Sequence, residues 1–234
     1  VNHHAPDEVA RRLAAVERQI AAVERPWTHD VEITAVTKAF APSVITAAVD
    51  AGCTAIGENY AQDLLSKRST IEALVPERRP RVDFIGHLQS NKVRQLVDLV
   101  DRWCTIDRAS IAEEIAKRAP GAEVLIQVNA TDEAGKGGCR PDEVEALRDR
   151  CVSLGLDAIG LLTIGPTGRA PEDAEPGFRV VRGLVDDLGL AVCSMGMSAD
   201  LSIAVACGST SVRIGSQLFG ARPVPVHQER NGRG

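Results

Sequence analysis

Eight times along this chain a short run of β-branched and apolar residues is followed by a helix-forming run, and that alternation restricts the fold more than any other feature. VEITAVTK (31–38) precedes PSVITAAVDAG (42–52), TAIGEN (54–59) precedes YAQDLLSKRSTIEALV (60–75), RVDFIGH (81–87) precedes SNKVRQLVDLV (90–100), and RWCTID (102–107) precedes ASIAEEIAKRA (109–119). AEVLIQVN (122–129) precedes PDEVEALRDRCVSL (141–154), LDAIGLLTI (156–164) precedes EPGFRVVRGLVDDL (175–188), LAVCSMGM (190–197) precedes SADLSIAVACG (198–208), and STSVRIGS (209–216) precedes a short QLFGAR. Strand-then-helix order implies parallel strands joined by crossover helices. Eight such units in roughly 250 residues or slightly fewer match a single (β/α)8 TIM barrel, an α/β fold. A doubly wound open sheet is the alternative. It has fewer strands and a glycine-rich first turn, where this chain reads TKAFAP (37–42).

An extra amphipathic helix is predicted over 6–25, with Val9, Leu13, Val16, Ile20 and Val23 at helical spacing, flanking or capping the barrel. One domain then covers residues 1–222. Residues 223–234, PVPVHQERNGRG, are expected to form a disordered tail.

The chain has 234 residues, a net charge of −5, 44% hydrophobic and 25% charged residues, an ordinary globular balance able to support a core without staples. The mild acidity argues against a nucleic-acid surface. No apolar run approaches a membrane span and the first 25 residues do not resemble a signal peptide, so a soluble cytoplasmic protein is expected. The six cysteines (53, 104, 139, 151, 193, 207) form no Cys-x-x-Cys pair and read as reduced thiols packed as small hydrophobes, against a disulfide framework. The five histidines (3, 4, 29, 87, 227) show no ligand spacing, so no metal site is expected. Low aromatic content, 3%, suggests a monomer.

In such a barrel functional groups lie at the carboxyl ends of the strands. Those positions carry Lys38; Glu58, Asn59 and Tyr60; His87, Gln89, Ser90 and Asn91; Asp107 and Arg108; Asn129; Ser194 and the following MGMS to Ser198; and Arg213, Gly215 and Ser216. Each has an ordinary structural reading. Asn59, Ser90, Asp107 and Ser198 suit helix caps, and a lone His87 suits a structural role. Their gathering on one rim favours a site. Period-2 alternation places Thr34, Val36 and Lys38 on the inner face of the first strand, with Ile33, Ala35 and Thr37 turned to the helices. Desolvation of a lysine there is expected to lower its pKa from ~10.4 and make it a carbonyl nucleophile able to form a Schiff base. A salt bridge to Glu58 or Asp107 is the competing explanation. After the seventh and eighth strands, MGMSADL and STSVRIGSQLFG are glycine-bearing turns that open helices, where barrels often bind phosphate. Arg213 alternates onto the same inward face as Gly215. An aldehyde-binding lysine opposite a phosphate cradle, with an arginine between, points to pyridoxal 5′-phosphate (PLP).

The segments AVTK, GENYAQ, FIGHLQSNK, VLIQVN, CSMGMSADL and STSVRIGSQLFGAR closely resemble the YggS/PROSC family of pyridoxal-phosphate homeostasis proteins, over about residues 6–222. The resemblance implies a barrel like the N-terminal domain of alanine racemase (PLP fold type III). It implies that Lys38 carries the Schiff base to PLP, that Ser198, Gly215 and Ser216 hold the phosphate, that Arg213 faces the pyridine nitrogen, and that Asn59, His87 and Met195 line the cofactor. The loop TDEAGKGGCRP matches a family loop near the mouth. Ser216 and Thr37 stand where many relatives carry Thr and Ser, and LLTIGPTG replaces a more usual segment, so no contacts are assigned to 163–168. A cation at the pyridine nitrogen disfavours ring protonation and weakens the cofactor as an electron sink. Racemisation needs an acid–base group on each face of the substrate carbon. Only one tyrosine, Tyr60, is present, and residues 223–234 are too few for a second domain. No catalytic residue is therefore assigned. The function expected is PLP binding and intracellular PLP supply, with transient contacts to PLP-dependent enzymes. A small amino-acid racemase and a Schiff-base aldolase acting on a phosphorylated sugar remain open.

Overall fold

Each strand-forming run becomes a short buried strand in the computed structural model, which describes residues 5–131 and 133–221. The strands are β1 (Glu32–Val36), β2 (Ala55–Glu58), β3 (Arg81–Phe84), β4 (Arg102–Ile106), β5 (Glu123–Val128), β6 (Asp157–Thr163), β7 (Val192–Ser194) and β8 (Ser211–Ile214). They pair in parallel, each with the next, and β8 closes on β1 to give a barrel. The helices are α1 (Pro6–Ala21), α2 (Ser43–Asp50), α3 (Ala61–Glu72), α4 (Ser90–Leu96), α5 (Ala109–Arg118), α6 (Val144–Ser153), α7 (Glu175–Asp187), α8 (Leu201–Ala206) and α9 (Ser216–Phe219). The (β/α)8 expectation holds and the doubly wound sheet is excluded. The tail expected at 223–234 lies outside the described residues.

The extra helix is shorter than the periodicity predicts. It ends at Ala21, and the chain turns through the charged run before Pro26, because a residue preceding proline disfavours helix. Val9, Leu13, Val16 and Ile20 are buried on one face, which packs against α2, α8 and α9. Burying each such side chain contributes about 1.5–3 kcal/mol. The Arg12 guanidinium donates to the Leu218 carbonyl at 3.1 Å and so ties α1 to α9.

The period-2 pattern sorts side chains between two layers. Ala35, Ile56, Val82, Trp103, Val124, Leu161, Cys193 and Val212 face the helices in the main core. Inside the barrel Cys104, Leu125 and Leu162 form a smaller apolar layer. Below it, at the amino ends of the strands, Arg81 bonds both Glu32 and Asp83, and Arg102 bonds Glu123. Gly57 makes room in this interior. A Cβ there would lie 2.8 Å from Ile85 Cδ1 and 3.0 Å from Thr34 Cγ2, and its absence lets Thr34 of β1 donate across β2 to Asp83 at 3.2 Å. All six cysteines are free thiols and buried, as expected of small hydrophobes. Burial pushes the Cys53 and Cys151 thiols up to about 11, far from reactive thiolates. Among the described residues no group of His, Cys, Asp and Glu could hold a metal ion, and no helix is long and apolar enough to cross a membrane.

One buried polar cluster lies between the barrel and α3. Lys67 sits on the apolar stripe of α3 between Leu64 and Ile71, with its side chain fully buried. Its Nζ donates to Glu58 Oε1 at 2.5 Å and to the Thr37 carbonyl at 2.7 Å, and the Thr37 hydroxyl donates to the same carboxylate oxygen at 2.5 Å. Desolvation raises the Glu58 pKa, and the charge and hydrogen bond of Lys67 act against that rise. Removing one member of a buried pair leaves a charge without compensation. Lys67→Met is therefore expected to cost about 3–5 kcal/mol near neutral pH in urea unfolding. A carboxyl with a raised folded pKa holds its proton more tightly folded than unfolded, so its folded state loses stability as pH rises. The deficit of Lys67→Met should accordingly shrink as pH falls toward and below the ordinary 4.5 of Glu58. A deficit that stays constant with pH would refute the ionic role of this pair.

Candidate cofactor site at the barrel mouth

A cavity of about 270 Å3 opens at the carboxyl ends of β1, β2, β7 and β8 and is lined by Lys38, Asn59, Met197, Ser198, Arg213 and Ser216, among others. Lys38 follows β1 and is half-buried on the inward side, as the alternation of Thr34, Val36 and Lys38 predicts. The expected competitor, a salt bridge from Lys38 to Glu58, is not what forms. Glu58 points outward and is taken by Lys67, and Asp107 pairs with Arg108 and His87.

Asn59 does not cap α3. The cap position is Tyr60 and no side chain caps the helix. Gly86 fixes where Asn59 lies, because a Cβ on Gly86 would meet the Asn59 carbonyl oxygen at 1.8 Å. The two chains can pass this closely only with glycine at 86. Asn59 Oδ1 is buried and has no hydrogen-bond partner among the described residues. A buried amide oxygen without a partner is costly, and a ligand donor in the cavity would satisfy it.

Arg213 reaches the cavity from β8 through the barrel interior. Its guanidinium donates to Ser194 Oγ at 2.7 Å and to the Thr163 carbonyl at 2.8 Å. Burial lowers its pKa to about 10, and it remains a cation at neutral pH. Among the described residues no carboxylate pairs with it. The cavity therefore holds a fixed positive charge anchored by neutral acceptors.

The far end of the cavity is built from two loops. Gly196 takes φ 96° and turns the loop after β7, and the Met197 amide donates to Asp200 Oδ1 at 2.6 Å. This loop presents Ser198. After β8, Gly215 brings the backbone against Val36, where even an added Cβ would lie only 3.4 Å from Val36 Cβ, and Ser216 follows at the start of α9. The Ser216 hydroxyl donates to the Ser198 hydroxyl at 3.3 Å. Two hydroxyls thus converge beside Gly215, in the place where the sequence suggests a phosphate cradle.

Two residues anticipated from the sequence lie elsewhere. Met195 is fully buried in the outer core with its sulfur 3.7 Å from Cys193 Sγ, so it does not line the cavity. Met197, two residues on, does. His87 is 65% exposed and borders two adjoining hollows. One of these, about 350 Å3, shares Asn59, Ile85 and Ile164 with the Lys38 cavity and adds Gln127 and Lys136. Asn129 braces its own loop, accepting from Thr131 and donating to the Glu133 carbonyl. The stretch 163–168, to which the sequence reading assigns no contacts, supplies both the Thr163 carbonyl at the end of β6 that holds Arg213 and Ile164 in the wall. Val36 and Ile85 also line the cavity, and their parity with Lys38 and Asp83 is the signal that identifies them.

Comparison with known proteins agrees with this geometry. The family described as alanine racemase, N-terminal domain, matches residues 12–223. Curated relatives include the pyridoxal phosphate homeostasis proteins of Aquifex aeolicus, 38% identical over 90% of this chain and 97% of that one, and of Haemophilus influenzae, 37% identical over 86% and 90%. Among solved structures, PipY of Synechococcus elongatus with PLP bound superposes with a TM-score of 0.77 at 28% identity, covering 91% of this chain and all of that one. The chain belongs to the alanine racemase N-terminal domain family and, within it, to the pyridoxal phosphate homeostasis proteins.

Proposed function

We propose that the Lys38 cavity binds PLP and that the protein takes part in PLP homeostasis, holding the cofactor for supply to other enzymes in the cytoplasm through transient contacts. The observation that carries this reading is the convergence of four features on one cavity: the Lys38 amine, the partnerless Asn59 oxygen, the Arg213 cation, and the Ser198–Ser216 hydroxyl pair. They suit an aldehyde, a ring hydroxyl, a ring nitrogen and a phosphate respectively. Bound PLP supplies an aldehyde carbon for a covalent bond. Lys38 would hold the cofactor through its amine, the group in this cavity that can engage an aldehyde carbon. Arg213 orients the ring, Asn59 takes a donor, and Ser198, Ser216 and the Gly215 backbone hold the anion.

The same wall supports storage over turnover. Among the described residues the cavity offers only Lys38 and Arg213 as titratable side chains. Tyr60, the chain's single tyrosine, is 57% exposed and borders the adjoining hollow. A proton donor on the second face of a substrate carbon, which a racemase requires, has no candidate in the wall.

Three outcomes are expected. Wild-type protein mixed with PLP and desalted should keep a visible absorption band and gain a borohydride-stable adduct, and Lys38→Ala should keep neither. An undiminished adduct in Lys38→Ala would refute the assignment of the amine. Arg213→Gln should retain the adduct but shift the band and hold PLP more weakly. Ser198→Ala and Ser216→Ala should each weaken PLP by about tenfold while leaving pyridoxal, which lacks the phosphate, unaffected. Equal losses for PLP and pyridoxal would place the phosphate elsewhere.

A further inference from the structure

Lys38 is joined to the chain by two peptide groups, and α3 holds both. On the amino side the Thr37 carbonyl accepts from Lys67 Nζ at 2.7 Å, while the Thr37 amide donates to the Gly57 carbonyl at 3.1 Å. On the carboxyl side the Ala39 amide donates to Asp63 Oδ2 at 2.9 Å. Asp63 and Lys67 are one helical turn apart, so a single face of α3 grips the backbone before and after Lys38.

The grip coincides with a backbone outlier. Ala39 has φ 64°, and among the described residues it is the one non-glycine position in the left-handed region. Alanine does not choose that conformation on its own, because its Cβ crowds the carbonyl. It persists where surrounding contacts determine the backbone. Here the Asp63 hydrogen bond falls on the strained residue itself. The consequence is local: the direction in which the Lys38 Cα–Cβ bond leaves the chain is set by the torsions between Thr37 and Ala39.

We infer that Asp63 and Lys67 are positioning residues for Lys38, clamping its two flanking peptides so that the amine is delivered to the cavity, and thereby setting how fast it captures and releases an aldehyde. This rests on the PLP reading above and assigns two residues outside the cavity to the same site. Neither touches the cofactor space, since Lys67 is turned into the outer layer and Asp63 does not line the cavity. Their influence acts through the backbone.

A positioning role and a merely structural one separate at Asp63, which is only half-buried and whose removal the fold should tolerate. The experiment adds PLP to wild type, Asp63→Ala, Asp63→Asn and Lys38→Ala. It follows the growth of the lysine-dependent band and its loss to excess hydroxylamine, and measures urea unfolding without PLP in parallel. Asp63→Ala should capture PLP about tenfold more slowly, the size of one net hydrogen bond. Asp63→Asn, whose side-chain oxygen still accepts from Ala39, should restore the wild-type rate although its charge is gone. Both variants should still unfold in one cooperative transition, Asp63→Ala at a slightly lower urea concentration for the lost hydrogen bond, so that slow capture does not reflect an unfolded chain. Asp63→Ala capturing at the wild-type rate would overturn the clamp, and so would an Asn variant as slow as the Ala variant. A wild type without any lysine-dependent band would instead remove the PLP reading and the clamp with it.

Discussion

The pairing of β8 with β1 is the constraint on which the site depends. Its register sets Thr34 beside Arg213 and Ala35 beside Ile214, and so brings Gly215 against Val36. Lys38 and the Gly215–Ser216 turn, which lie near opposite ends of the sequence, become neighbours at the rim only through this closure. The register is also what turns Arg213 inward. Because side chains alternate with period 2, a slip of one residue would move Arg213 to the helix layer and Ile214 to the cavity. Thr34 bonded to Asp83 below and Arg213 bonded to Ser194 and Thr163 above oppose such a slip, since each needs its present face. The α1 helix reinforces the closure from outside, with Arg12 on the Leu218 carbonyl just past the Ser216 turn.

Polar groups are distributed through this barrel in layers. The floor carries the Arg81–Glu32–Asp83 network, the middle is Cys104, Leu125 and Leu162, and the charges near the rim are either committed or cationic. Glu58 and Asp200 each adjoin a lining residue in sequence; Glu58 faces outward into Lys67 and Thr37, and Asp200 accepts from the Met197 amide. Such a pair is weak evidence for net stability, because desolvating two ions offsets their attraction. Its structural result is clearer. The Glu58 carboxylate is held on the outer side of the strand, against α3.

Much of this could be read in the sequence wherever a strand is long enough for its alternation to be counted. Lys38, Arg213 and Gly215 were legible because β1 and β8 keep period 2 to their ends, and eight strand–helix units determine which ends meet. The failures fall past strand ends. β7 spans only Val192–Ser194, and Gly196 at φ 96° breaks the alternation, so Met195 goes into the core and Met197 reaches the cavity. His87 lies beyond β3, where the chain has turned outward, and strand parity no longer applies. Asn59 looked like a helix cap because capping residues and ligand-binding residues are chemically alike. Gly86, which actually fixes it, acts from a neighbouring strand that local sequence does not reveal. Lys67 was missed for another reason. A lysine in a helix ordinarily reads as solvated, although its spacing from Leu64 and Ile71 places it on the buried stripe. The pairing across to Glu58 depends on tertiary contact.

Arg213 carries the last step from structure to role. Its hydrogen-bond anchors are a hydroxyl and a peptide carbonyl, both neutral, and the Asp200 carboxylate acts on it only at longer range, without a hydrogen bond among the described residues. Burial lowers its pKa to about 10, which still leaves it protonated in any cell. A pyridine nitrogen set against such a cation stays unprotonated, and an unprotonated ring withdraws electrons poorly from a carbon bonded to the lysine side. For an enzyme of amino-acid carbanions that is a handicap. Under the proposed PLP-holding role it would be an advantage, because amino acids that reach the cofactor would not be readily converted. Among the described residues the rest of the cavity wall is the Lys38 amine, the Asn59 amide, two serine hydroxyls, the Met197 thioether and aliphatic side chains.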